Sequence, residues 1–319
     1  QEVEQMNLFK DMVCYQEEVR DASRMAEVLN RVILKAKRGS APAQINVPRD
    51  FWTQVVDIEL PSIIEFERPS GGAAAITEAA KLLSNAKFPV ILSGAGVVLA
   101  DAIEDCKKIA EKLDAPVACG YQHNDSFPGK HPLAVGPLGY NGSKAAMEII
   151  SKADVVLALG TRLNPFSTLP GYGIDYWPKE AKIIQVDFNS DRIGLAKKIS
   201  IGICGDAKLV AEQILNQLSS TAGDSGREDR KALIHQTKSA WLQTLTSLDH
   251  EEDDEGTTWN KDSRERDPDR MSPRMAWRAI QAGLPDDAII SSDIGNNCAI
   301  GNAYPTFEQG RKYLAPGLF

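Results

Sequence analysis

Five short apolar runs, PVILS, PVACG, VVLALG, KIIQVDF and ISIGICG, recur between residues 89 and 205, with helical patterns or loops between them. This alternation narrows the folds open to the chain more than any other feature. The runs are apolar nearly throughout instead of every second residue, as strands are when both faces of their sheet are covered. Helical spacing in ITEAAKLLSNA precedes the first run, a GAGV turn follows it, and a long helix then continues through Ala110 and Leu113. Asp206 stands where it would cap a last helix. The expectation is an α/β class domain over 73–218, built as a doubly wound parallel sheet.

The flanks read as parts of other domains. From Ser23 to Arg38, Met25, Val28, Leu29, Val32, Ile33 and Ala36 recur at helical spacing, with Ser23 as the expected cap and Gly39 as the stop. AQINVP reads as a strand ended by Pro48, and one helix with one strand cannot bury itself. Residues 1–57 are therefore expected to form the C-terminal part of a first domain, and 58–72, with Pro61, Pro69 and Gly71-Gly72, a linker. Residues 219–270 carry EEDDE and SRERDPDR around Trp241 and Trp259 and read as a charged linker with an embedded helix. In 271–319, SPRMAWRAIQAGL reads as a helix and AIISSDIG as a strand, the start of a third domain. Gln1 at one end and the apolar YLAPGLF at the other suggest an internal segment of a longer protein.

Apolar residues make up 43% of the 319 and charged ones 25%, as in globular proteins. No secretory leader or membrane-spanning run is read, so a cytoplasmic protein is expected, with no membrane partner. A net charge of −8 offers no basic stripe to phosphates, and no nucleic-acid partner is expected. The five cysteines fall at irregular intervals without a C-x-x-C pair and read as reduced, buried thiols. The four histidines lack metal-ligand spacing, so no metal ligand is assigned.

Two places carry the chemistry of a binding site. Gly94 and Gly96 follow a buried strand and open a helix, Arg162 follows VVLALG, and Asp187 ends KIIQVDF. A candidate nucleotide site and ordinary tight turns both fit these four. Gly295, Asn296 and Asn297 follow the strand of the third segment, where neutral amides suit a diphosphate whose charge a metal meets, and where turn chemistry fits as well.

The order INVPRDF, PVILSGAGV, FPGKHPLAVGPLG, ADVVLALGTRLN, KIIQVDFNSDRIG, GDAKLV, LPDDAIISSDIGNN resembles the thiamine-diphosphate-dependent enzymes related to acetohydroxyacid synthase and pyruvate oxidase. QEVEQMNLFKDMVCYQEEV, DDEGTTWN and the segment from Ser291 to the end are most similar to an acetyl-transferring branch. The resemblance implies a central domain flanked by partial α/β thiamine-diphosphate-binding domains, pyrimidine-binding before it and diphosphate-binding after it. It implies diphosphate contacts at Gly295, Asn296 and Asn297, contacts to the aminopyrimidine at Gly317 and Leu318, and Gln1 near the reacting carbon. The cofactors implied are thiamine diphosphate and Mg2+. The cofactor-activating glutamate is expected before Gln1 and the Gly-Asp-Gly magnesium segment after Phe319. Flavin- or ADP-binding relatives hold their nucleotide where Gly94, Gly96, Arg162 and Asp187 stand, and whether this branch does so is left open. Small-molecule substrates and a homodimer or homotetramer are implied for the parent enzyme. The alternatives are an acetolactate synthase-like or pyruvate oxidase-like enzyme, or a nucleotide-binding module comparable to the NAD-binding domain of sirtuin-like proteins.

Overall fold

The computed structural model describes residues 3–62, 67–222, 224, 226–249 and 273–315, without the side chains of 247–249, 296 and 297. Two compact units divide at Glu67 and Arg68. The first holds α1 (Gln5–Phe9), β1 (Tyr15–Glu18), α2 (Met25–Gly39) and β2 (Ala43–Asn46). β1 and β2 pair in parallel, Tyr15 opposite Ala43, and Val19, Val28 and Val32 form the small core that Tyr15, Ala43 and Ile45 complete. β1 escapes sequence reading because YQEE has no apolar alternation, and its register is held partly by Gln16 Nε2 donating to Gln44 Oε1 at 2.6 Å.

The ends of α2 differ from expectation. Asp21, not Ser23, is the cap: its carboxylate accepts from the Ser23 amide at 2.9 Å and opens a 3-10 turn ahead of the helix. Gly39 is still helical, and Ser40 takes the left-handed conformation at φ 46°. Glycine at 39 serves a close approach instead, since a β-carbon there would stand 3.2 Å from Cys14 Sγ.

The second unit contains the expected α/β domain. In chain order it comprises α3 (Ala73–Ser84), β3 (Pro89–Ser93), α4 (Ala95–Leu99), α5 (Ile103–Leu113), β4 (Val117–Cys119), β5 (Ala134–Pro137), α6 (Lys144–Ile150), β6 (Val155–Leu159), β7 (Lys182–Asp187), β8 (Ile201–Cys204) and α7 (Ala207–Gln217). The six strands lie in the order β5-β4-β3-β6-β7-β8, all parallel. Every residue of β3, β4 and β6 is buried, so each Val, Leu or Ile side chain there contributes about 1.5–3 kcal/mol. β5 is the strand that the apolar runs miss: Gly136 and Pro137 weaken its signal, and an edge position tolerates the proline. The chain runs outward from β3 to β5, crosses back to β6 and runs outward again to β8. The order therefore reverses between β3 and β6, the place where open α/β sheets leave a crevice.

Residues 68–72, read above as the end of a linker, already pack on this domain. Ser70 bridges Gly205, and a β-carbon on Gly71 would meet Ile203 at 2.8 Å. Asp206 caps α7 as expected, accepting from the amides of Lys208 at 3.0 Å and Leu209 at 3.3 Å. Its other oxygen meets Arg68 at 3.4 Å. Asp206→Ala should cost about 1–2 kcal/mol in denaturant unfolding, with Asn restoring most of it. An Asn variant as unstable as Ala would assign the loss to the ion pair instead of the cap.

The rest of the unit adds α8 (Arg227–Asp249), α9 (Pro273–Gly283), β9 (Ile290–Ser291), α10 (Asn296–Gly301) and β10 (Tyr313–Leu314). α8 lies in the stretch read as a charged linker with an embedded helix, and its Arg230 is only 1% exposed and Trp241 is buried as well. The remainder of that stretch, 250–270 with Trp259, lies outside the described residues. β9 and β10 pair in parallel, Ile290 opposite Tyr313. Of the five thiols read as buried, Cys106, Cys119 and Cys298 are, while Cys14 and Cys204 are exposed. No helix among the described residues is long and apolar enough to cross a membrane.

Candidate functional site at the carboxyl edge of the sheet

Gly94 and Gly96 lie where the strand order reverses, and their lack of side chains serves packing against the neighbouring strand. A β-carbon on Gly94 would stand 2.6 Å from the Gly160 carbonyl oxygen, and one on Gly96 would stand 2.6 Å from the Gly160 α-carbon. Gly160 itself takes φ +62°. The amides that a phosphate would need are engaged: Gly94 N–H donates to Leu159 at 3.1 Å and Gly96 N–H to Gly160 at 2.8 Å. Arg162 is exposed two residues beyond Gly160. Asp187 is adjacent across the ladder, buried, and accepts from the Asn189 amide at 2.8 Å, which fixes its own loop. The fold thus gathers all four residues along consecutive strands β3, β6 and β7, with tight-turn chemistry occupying most of their polar groups. His123, on the loop after β4, faces this edge. Burial lowers its pKa most, the Arg162 charge lowers it further and Asp125 opposes both, so its imidazole is neutral at pH 7.

The helix that follows the turn of the third segment lies against the loops after β4 and β5, through Cys298 and Asn302. Gly295 has φ +96°, and nothing lies within 4 Å of where its β-carbon would be. A side chain there would be strained and would fill open space, so the turn keeps a gap that a ligand can enter. Asn296 and Asn297 begin α10 directly after it. The helix is fastened from below by the polar loop Tyr121-Gln122-His123-Asn124-Asp125. The Gln122 side-chain amide and the Tyr121 hydroxyl both meet Cys298 Sγ, the latter at 3.3 Å. Gln122 N–H donates to Asn302 Oδ1 at 3.3 Å, and Asn124 Nδ2 donates to the carbonyls of Asn302 and Pro305 at 2.9 Å each. Asp125 accepts from the amides of Lys312 and Tyr313 at 3.0 and 3.3 Å.

Sequence reading missed this loop. Its one local signal is a polar run, YQHND, directly after an apolar strand, where open α/β sheets carry ligand loops. Two buried thiols near it, Cys106 and Cys119, are not nucleophiles. Burial pushes Cys106 and Cys119 up to about 12, so neither is a thiolate at neutral pH. Among the described residues, no group of three His, Cys, Asp or Glu is placed to hold a metal ion. Gln1, Gly317 and Leu318, proposed from resemblance, lie outside the described residues, as do the side chains of Asn296 and Asn297.

The amino-acid sequence of the α/β domain matches a known class. Residues 76–214 match the family model described as the thiamine pyrophosphate enzyme, central domain. The α/β domain is therefore similar, over nearly its whole length, to the central domain of the thiamine pyrophosphate enzymes. More particularly, the chain is a homologue of the sulfoacetaldehyde acetyltransferases. It is 76% identical over all 319 residues to a probable sulfoacetaldehyde acetyltransferase of Rhizobium meliloti (strain 1021), covering 54% of that protein. It is also 76% identical to the sulfoacetaldehyde acetyltransferase of Roseovarius nubinhibens, covering 53%, and 67% identical to that of Rhodobacter capsulatus, covering 54%. The chain spans about half the length of the curated relatives it matches.

Proposed function

We propose that the protein carrying this chain is a thiamine-diphosphate-dependent acetyltransferase that converts sulfoacetaldehyde and phosphate into acetyl phosphate and sulfite. The observation that carries this reading is the 76% identity, sustained over every residue, to proteins of that name. In the reaction the carbon–sulfur bond breaks with its electron pair leaving on sulfite, the aldehyde carbon gives up its hydrogen as a proton, the methylene carbon takes one up to become the methyl group, and phosphate oxygen bonds the acyl carbon. Bound thiamine diphosphate would supply the electron sink beside the aldehyde carbon.

The residues present fit the diphosphate end of that cofactor. Gly295 leaves open space at its turn, and Asn296 and Asn297, next in the chain, are neutral donors that suit a diphosphate paired with magnesium. By resemblance, Gly317 and Leu318 would meet the aminopyrimidine through their backbone, and Gln1 would stand near the reacting carbon. Both substrates are anions in a chain of net charge −8, so cationic side chains are expected around the pocket. The flanking segments are read as parts of the pyrimidine- and diphosphate-binding domains, and the parent enzyme as a homodimer or homotetramer. The reading requires no flavin or ADP in the central domain, in keeping with the engaged amides of Gly94 and Gly96.

Sulfite release from sulfoacetaldehyde by the full-length protein is expected to require thiamine diphosphate, Mg2+ and phosphate together. No cofactor-dependent release would sink the assignment, and tightly bound flavin after purification would favour a pyruvate oxidase-like or acetolactate synthase-like enzyme. The 319 residues alone are expected to release no sulfite.

A further inference from the structure

We propose that the central-domain loop Tyr121–Asp125 positions the diphosphate-binding turn Gly295–Asn297 by holding α10 through Cys298 and Asn302, an inference that rests on the functional reading above. Cys298 and Asn302 are four residues apart and so lie on one face of the helix, and that face meets the loop. Asn302 is fully buried, and each polar end of its side chain has a central-domain partner: Oδ1 accepts from Gln122 N–H, and Nδ2 donates to the Tyr140 carbonyl at 3.1 Å. Cys298 is buried under the side chains of Tyr121 and Gln122. Gln122 is held at φ +61°, a conformation that costs a non-glycine residue about 1–2 kcal/mol and persists only where surrounding contacts enforce it. The loop is itself fixed to β3, where the Ser93 and Ser126 hydroxyls each donate to the other residue's carbonyl at 3.0 and 3.2 Å.

A continuous polar path therefore runs from β3 through the loop to a helix that starts one residue after Gly295. α10 is six residues long, too short to hold its own orientation, so its direction comes from these contacts. Gln122, Cys298 and Asn302 spend their polar groups on one another, on the Tyr121 hydroxyl and on the Tyr140 carbonyl. They are positioning residues, and their loss should loosen the cofactor more than it slows the loaded enzyme.

The test is thiamine diphosphate binding to the full-length protein in the presence of Mg2+, followed by calorimetry or tryptophan fluorescence, beside kcat at saturating cofactor. Asn302→Ala and Gln122→Ala are expected to weaken binding about tenfold or more, while kcat stays within about threefold. Cys298→Ala should weaken it by about threefold and Cys298→Ser should recover most of that, because serine keeps an acceptor for Gln122. Cys298 variants keep the test decisive if those at 302 or 122 do not fold. Lys130→Ala removes an exposed ion pair to Asp286 at 2.8 Å on the same contact and should leave affinity within about twofold. Affinity in Asn302→Ala, Gln122→Ala and Cys298→Ala no weaker than in Lys130→Ala would overturn the positioning role. A wild-type protein that binds no thiamine diphosphate would overturn the functional reading and this inference with it.

Discussion

Gly96→Ala is expected to destabilise the central domain by about 4 kcal/mol, a large effect for adding one methyl group. The new β-carbon would stand 2.6 Å from the Gly160 α-carbon and 3.0 Å from the Gly160 carbonyl oxygen. Both are backbone atoms, so no side chain can rotate away. Relief requires β3 and β6 to part just beyond their paired ends, which also stretches the 2.8 Å hydrogen bond from Gly96 N–H to Gly160. Overpacking by a methyl group costs about 1–3 kcal/mol in a deformable core, and the lost hydrogen bond adds about 1. Gly283→Ala is the counter-case: nothing lies within 4 Å of its β-carbon, and it ends α9, so alanine should be neutral or stabilise by up to about 1 kcal/mol. Thermal unfolding reads both. A midpoint for Gly96→Ala within roughly 2 °C of wild type would show that the two turns are not in contact.

Arg230→Ala should cost about 3 kcal/mol and lower the midpoint by roughly 6–12 °C. The guanidinium is buried beneath α8 and donates to the carbonyls of Leu113 at 2.7 Å, Lys87 at 2.8 Å and Asp114 at 2.9 Å. Leu113 ends α5 and Asp114 turns left-handed at φ 46°, so the arginine meets carbonyls that their own helix leaves unpaired. Each acceptor left buried without a donor costs about 1–3 kcal/mol, and the lower end applies because water can follow the missing side chain. Lysine should recover less than half, since one ammonium cannot match a planar fork of donors. Faster amide exchange in α8 should accompany the loss. A cost below about 1 kcal/mol would mean that α8 holds its place without this anchor.

The fold of the central domain was largely legible, and its site only partly so. PVILS, VVLALG and KIIQVDF announced buried parallel strands because a strand covered on both faces leaves a continuous apolar trace. β5 left none, because AVGP carries a glycine and an edge proline in place of that trace. β1 was hidden by YQEE, which lacks apolar alternation and whose register is held partly by the Gln16–Gln44 side-chain bond. Asp21 displaced Ser23 as a cap because a 3-10 turn precedes the helix, a shift of two residues that propensity does not resolve. At the candidate site, Gly295 was expected from its turn and from family resemblance. Gln122 and Asn302 were not, because their contact joins residues 180 positions apart.

The sequence by itself determined a parallel α/β domain, the glycine turns at its strand ends and the Asp206 cap, since each depends on neighbours within a few residues. Tertiary structure decided what those turns face. It set Gly94 and Gly96 against the backbone of Gly160, left the space at Gly295 open, and laid the polar loop Tyr121–Asp125 under Cys298 and Asn302. Local pattern reports which residues are buried. Which partner they are buried against follows only when the strands have taken their order in the sheet.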